Sequence, residues 1–125
     1  KITERLLNAV NNPHVDIIGH PTGREIPDRE PADLDMELIL KAAAKSGVVM
    51  EINASPYRLD LDDMYARRAK ELGVLLSINT DAHSEAEYDL LHYGVAVARR
   101  AGITKDDVIN TWTPKKLLDW LKKRG

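Results

Sequence analysis

The chain contains no cysteine. Disulfides, thiolate zinc sites and a cysteine nucleophile are thereby excluded, and any metal must be held by His, Asp and Glu. No apolar run approaches the roughly 20 residues of a membrane span, and no signal peptide is visible, so a cytoplasmic protein without a membrane partner is expected. A charge excess of one sign is also missing, because 18 Lys and Arg stand against 20 Asp and Glu for a formal charge of −2. Dedicated nucleic-acid-binding domains are usually strongly basic, so composition gives no global argument for one. It leaves room for a nuclease site that meets DNA through metals. There is no Gly-rich phosphate cradle and no G-x-S-x-G elbow, and chemistry that uses a metal-activated water needs neither. The sequence opens without an initiator Met, directly into the amphipathic stretch Lys1-Ile2-Thr3-Glu4-Arg5-Leu6-Leu7. A segment of a longer chain would begin this way.

What is present is an alternation of helical and strand patterns over 125 residues, enough for one domain or part of one. Ile2, Leu6, Leu7 and Val10 share a helical face that Asn11-Asn12-Pro13 ends. Short apolar runs at 15–18, 48–53, 74–78 and 108–110 read as strands. Helices are expected at 33–45 with Asp33 as cap and Leu34, Leu38, Ile39 and Ala42 inward, and at 61–72. A further helix at 84–101 should bury Leu90, Leu91, Val95 and Ala98, and a last one after Pro114 should bury Leu117, Leu118 and Leu121. Gly47, Gly73 and Gly102 fall where helices should stop. Strict alternation implies a parallel sheet of four strands with right-handed crossovers. The rhythm of short strand, long loop and helix favours a piece of a barrel, about half of one. Its open sheet edges would need cover from missing chain or from a partner.

Residues able to do chemistry collect at the predicted C-terminal ends of the strands, where α/β sheets and barrels place their sites. His20 follows the first strand, and Asp81 and His83 follow the third. Two imidazoles and a carboxylate on one rim make a plausible divalent-metal set. His14 precedes its strand and His92 lies within a helix, positions that suit structural or solvated roles. In the second strand, period-2 alternation puts Val49, Glu51 and Asn53 on one face and Val48, Met50 and Ile52 on the other. Glu51 and Asn53 could support metal ligands from behind or touch substrate; equally, Glu51 could be a buried acid paired with an arginine. Arg24 and Arg58 sit on loops of this rim and could grip a phosphate. Asn110 could face the site or cap a turn. The loop at 21–32, with Pro21, Pro27 and Pro31, is long for a bare connection and is a candidate active-site loop.

Three motifs carry a resemblance. Gly19-His20-Pro21-Thr22-Gly23-Arg24, the run from Glu51-Ile52-Asn53 through Ser55-Pro56-Tyr57-Arg58 to Leu59-Asp60-Leu61, and Asn79-Thr80-Asp81-Ala82-His83-Ser84 are similar to the C-terminal part of a PHP domain (polymerase and histidinol phosphatase). The wording is closest to the PHP domain that follows the polymerase core in bacterial and archaeal family X DNA polymerases. The resemblance covers essentially the whole chain as one domain fragment. It implies a distorted (β/α)7 barrel with a trinuclear Mn or Zn site that cleaves phosphoesters, acting on DNA 3′ ends in repair. By the same resemblance His20 matches a late histidine ligand, Asp81 and His83 the final D-x-H pair with catalytic weight, and Arg58 an arginine near the substrate phosphate. The family's early ligands have no counterpart here. The fragment alone is therefore expected to bind one metal weakly at most and to be inactive. A small-molecule phosphatase, or a non-catalytic module that props a polymerase, are the alternatives.

Overall fold

A computed structural model describes residues 1–124. Its element order is α1 (Ile2–Val10), β1 (Ile17–Ile18), α2 (Met36–Ser46), β2 (Val49–Asn53), α3 (Asp63–Leu72), β3 (Leu76–Asn79), α4 (Leu91–Arg100) and α5 (Pro114–Arg124). The three strands are parallel and lie in the order β1-β2-β3. The alternation thus yields an α/β fold with a small parallel sheet and helical crossovers, an arrangement compatible with part of a barrel.

The strand periodicity holds at side-chain level. Val48, Met50 and Ile52 join the main apolar cluster with Ile39, Leu40, Ala66, Leu76 and Val97. Val49, Glu51 and Asn53 point the other way yet are also buried. The register pairs Glu51 with Ser77 and Asn53 with Asn79, so four polar side chains of β2 and β3 line one face of the sheet. Helices pack side by side, α1 on α2, α2 on α3 and α3 on α4. Gly94 lets α4 approach the sheet: a Cβ there would lie 2.6 Å from Ile78 Cγ2 and 2.8 Å from Ala54 Cβ. Gly47 closes α2 in the left-handed region, at φ 74°, where its N–H donates to the Ala43 carbonyl.

Several local expectations are corrected. The fourth strand is absent among the described residues; Val108 makes a single parallel bridge to Leu76 and the chain then turns through a short 3-10 segment, Ile109–Thr111. The Asn110 amide takes over the pairing: its Oδ1 accepts from the Ile78 N–H at 2.9 Å and its Nδ2 donates to the Ile78 carbonyl at 2.8 Å. Both backbone groups that a fourth strand would have paired at Ile78 are thereby occupied, and Asn110 serves the sheet edge rather than the site. Asp35, not Asp33, caps α2, because its carboxylate accepts from the Leu38 N–H. Of the expected inner residues Ile39 is buried and Leu34 and Ala42 pack partly against the core, joined by Met36, Leu40 and Ala43, whereas Leu38 faces solvent. The helix expected from 84 begins as a 3-10 stretch, Glu85–Leu90, and α4 buries Gly94, Val97 and Ala98 while Leu91 and Val95 stay exposed. No residue of α5 is fully buried, and Leu118 faces solvent. Instead Arg124 anchors that helix, donating to Asp16 Oδ1 and to the Val15 and Ser46 carbonyls.

Candidate active site at the strand ends

Immediately after β1 the chain passes through Gly19 and His20, the latter at φ 27° in the left-handed region. The His20 N–H donates to Glu51 Oε2 at 2.7 Å. Gly19 permits this approach, since a Cβ there would sit 3.3 Å from that same oxygen. The other carboxylate oxygen of Glu51 accepts from Asn79 Nδ2 at 3.0 Å, and Asn53 Nδ2 reaches both Glu51 Oε2, at 3.4 Å, and Asp81 Oδ2, at 3.2 Å. The buried acid is therefore satisfied by amides and a backbone N–H, with no arginine partner. Through Asn53 it is linked to the carboxylate of Asp81. Glu51 and Asn53 stand behind the site and hold it.

Asp60 does the same for the loop that follows His20. It is fully buried, and its carboxylate accepts from the Thr22 N–H at 3.0 and 3.1 Å and from the Gly23 N–H at 2.9 Å. Its own backbone bridges to Asn53 at the end of β2. Burial pushes its carboxyl pKa up, against the downward pull of the Thr22 and Gly23 donors and the Arg24 charge. Sequence reasoning missed Asp60 as a positioning residue. The one signal was an acid enclosed between Leu59 and Leu61 at the end of the loop after the second strand.

The two arginines brace each other's loops. Arg24 directs Nε to the Arg58 carbonyl at 2.6 Å and Nη2 to the Leu59 carbonyl at 2.5 Å, while Arg58 Nη1 returns to the Arg24 carbonyl at 3.2 Å. Arg24 thus spends its guanidinium on backbone and does not line the site pocket. Arg58 does line it, with Nη2 on Glu25 at 3.1 Å and Nε 3.9 Å from Asp81 Oδ2.

After β3, Asp81 also occupies the left-handed region, at φ 56°. Strained backbone of this kind concentrates at functional positions, where surrounding contacts hold it. The His83 side chain is 81% exposed, the backbone N–H of His83 donates to the Glu87 carboxylate, and the ring Nδ1 lies 2.7 Å from the Asp81 carbonyl oxygen. A carbonyl can only accept, so Nδ1 carries a proton, and in the neutral ring Nε2 is the nitrogen with the lone pair. Arg58, Asp81 and His83 share one pocket of about 320 Å³ with Glu25, Asp28 and Glu87. Four carboxylates against one arginine make it a place where a cation is favoured.

His20 does not join this pocket. It borders a separate cavity with Arg5 and Thr22, and among the described residues no group of three His, Asp or Glu side chains is placed to hold a metal ion. The donor types fit a divalent metal. Among the pocket's His, Asp and Glu side chains no three are placed around one ion, so the Asp81 and His83 pair falls short of a full coordination set. His14 is exposed before β1, and His92 is tied to the Asp89 carbonyl on the surface of α4; neither lines the pocket.

The motifs that build this rim belong to sequences found elsewhere. No family model matches the chain. It is 40% identical over 122 residues to the DNA polymerase/3′-5′ exonuclease PolX of Bacillus subtilis, a match that covers 98% of this chain and 21% of that protein. It is 35% identical over 128 residues to a probable phosphatase of a Thermoanaerobacter species and 30% identical over 129 residues to a probable phosphatase of Shewanella oneidensis, covering 49% and 48% of them. The chain thus spans about half the length of the phosphatases and a fifth of the polymerase. The chain therefore aligns over nearly its entire length with both kinds of protein, a stretch that includes His20, Arg58, Asp81 and His83.

Proposed function

We propose that the chain is the C-terminal portion of a metal-dependent phosphoesterase barrel, a distorted (β/α)7 fold whose remaining strands and metal donors are supplied by other parts of the protein. The observation that carries this reading is the pocket shared by Asp81, His83 and Arg58, with one imidazole whose Nδ1 is oriented by the Asp81 carbonyl, four carboxylates and one guanidinium. Asp81 and His83 are the residues that would hold a Mn or Zn ion, with His20 a donor only in a rim more complete than the one described. A divalent ion supplies Lewis-acid polarisation of the phosphoryl oxygen and acidifies water. The chain's own part is to orient. The Asp81 carbonyl fixes the His83 tautomer, Asn53 fixes the Asp81 carboxylate, and Arg58 offers a donor to a phosphate oxygen at the pocket wall.

Two substrates fit this site, each with its own support. Similarity to the exonuclease-bearing PolX favours a DNA 3′ end as the substrate of a polymerase that carries this domain. Similarity to the probable phosphatases, about half of whose length the chain covers, favours a small phosphate ester. The test is hydrolysis by the full-length protein of single-stranded DNA and of a small phosphate ester, with Mn2+ or Zn2+, for the natural sequence and for Asp81→Asn with His83→Ala. Loss of hydrolysis in the double variant, with the fold intact, is expected. Unchanged hydrolysis would sink the reading and leave a structural module. Isothermal titration of the isolated chain with Mn2+ should show one weak site at most, and several tight sites would contradict the shortage of donors.

A further inference from the structure

The pocket has an apolar side that the phosphoester chemistry does not use. Tyr57 lines it and is 69% exposed, and the half-exposed Ile26 and Leu90 line it as well, together with Asp81 and His83. An aromatic ring held in water is tolerated anywhere on a surface; what sets Tyr57 apart is the rigidity of its loop. The Ser55 N–H donates to Asn53 Oδ1 at 3.1 Å, and the Tyr57 N–H to Ser55 Oγ at 3.3 Å. The Arg58 and Leu59 N–H groups donate to the Ser55 carbonyl at 2.9 Å, and the Tyr57 carbonyl accepts from the Ile26 N–H at 2.5 Å. The backbone on both sides of the ring is therefore fixed before any ligand arrives, so a planar group that packs on it loses little ordering entropy to the loop. Tyr88 offers a natural contrast: it is 68% exposed but does not line the pocket.

The adjacency of Tyr57 and Arg58 in sequence gives the pocket one aromatic and one cationic element side by side. A phosphate held at Arg58 leaves its organic substituent within reach of the neighbouring ring, against Ile26. A pocket of about 320 Å³ suits one ring-bearing unit rather than an extended chain. From this juxtaposition we infer that Tyr57 is a specificity residue that stacks on a planar ring carried by the phosphate ester, of which a nucleobase is the fitting chemical class. The inference rests on the phosphoesterase reading above and adds the selection of base-bearing over base-free esters. Stacking of this kind is tolerant of base identity because every base presents a π face. No preference among the four bases is expected from Tyr57.

The test compares esters that differ only in the base, using the full-length protein with Mn2+: an oligonucleotide ending in 3′ thymidine against the same oligonucleotide ending in an abasic residue, and thymidine monophosphate against deoxyribose phosphate. For the natural protein, KM should be lower for the base-bearing member of at least one pair by about fivefold or more, the scale of a single stacking contact. Tyr57→Ala should bring that ratio close to one with kcat little changed, Tyr57→Phe should keep it, and Tyr88→Ala should not move it. The urea midpoint of Tyr57→Ala should match the natural protein, since the ring buries little. Equal KM values for both members of both pairs in the natural protein, or a ratio that survives Tyr57→Ala, overturn the inference while the phosphoesterase reading stands. Failure to hydrolyse any of the four esters overturns both.

Discussion

The loop after β1 and the loop after β3 both carry candidate metal donors, and they are built in opposite ways. After β1, backbone N–H groups from His20, Thr22 and Gly23 run into the buried carboxylates of Glu51 and Asp60, and Arg24 clamps the facing loop by its carbonyls. After β3, the Asp81 carboxylate has one amide donor, a distant arginine and open water, and the His83 imidazole touches only a carbonyl and a neighbouring glutamate. The first loop spends its polar groups inward on its own architecture. The second leaves them outward. A carboxylate satisfied by three internal donors is poorly placed to ligate anything, whereas one held by a single donor is oriented and still available.

That contrast can be broken first at Asp60. Asp60→Ala strips the Thr22 and Gly23 N–H groups of their acceptor inside the protein, and unpaired buried donors are costly, so a loss of about 2–4 kcal/mol is expected by urea denaturation. Asp81→Asn keeps a side chain that tolerates the left-handed backbone and retains an acceptor for Asn53, so its loss should stay below about 1 kcal/mol. Equal losses at the two positions would show that the loops do not differ as described.

The pH dependence of stability sharpens the same point. Asp60 has its pKa raised by burial above an ordinary aspartate value of 3.8, so the folded state holds its proton longer than the unfolded chain does. Its contribution is fully present below that ordinary value and is lost as pH rises through the elevated one. Glu37 behaves oppositely: the hydrogen bonds from Arg68, outweighing some desolvation, lower its carboxyl from 4.5 to about 2. Its contribution is present above 4.5 and is lost as pH falls toward 2. Asp107 loses its contribution in acid as well; burial alone would raise its pKa, and the donors Thr104 and Lys70 together bring it down. Urea midpoints followed from acid to neutral pH should lose their falling component in Asp60→Asn and part of their acid-side rise in Glu37→Gln, the remainder belonging to Asp107. A falling component that persists in Asp60→Asn would remove Asp60 as its source.

The smallest effect is expected at His83. The ring is exposed and buries little, so His83→Ala should change stability by no more than about 0.5 kcal/mol. The same substitution should abolish the weak Mn2+ binding of the chain in calorimetry, because it removes the one imidazole in the pocket. A substitution that weakened folding and spared binding would reverse the roles assigned to the two loops.

Much of this was legible in the residue order. The alternation Val48 to Asn53 separated the core-facing from the polar side chains of β2, and the parallel order put the ends of β1 and β3 on one rim. Gly47 and Gly73 marked two helix ends through the left-handed conformation that they adopt cheaply. The Asp81-His83 spacing indicated an acid and an imidazole that the fold brings to one pocket. Other features left little trace in local pattern. Asp33 and Asp35 are equivalent as caps by residue type, and only the packing of Met36 and Leu40 chooses between them. Val108-Ile109-Asn110 has strand composition, but the Asn110 amide competes with the ladder and wins at Ile78. Arg24 and Arg58 are alike in charge and loop position, yet one faces backbone and the other the pocket.

The sequence by itself determined the α/β alternation, the polar face of β2 and the chemistry available at the Asp81-Ala82-His83 turn, because these follow from periods of two and 3.6 residues and from side-chain functional groups. The tertiary structure alone decided which of the polar groups remain free. Whether a carboxylate such as Asp60 or Asp81 is spent on the fold or offered to a ligand depends on the donors that come from elsewhere in the chain. For Asp60 these are the N–H groups of Thr22 and Gly23, nearly 40 residues away, and no local pattern encodes that meeting.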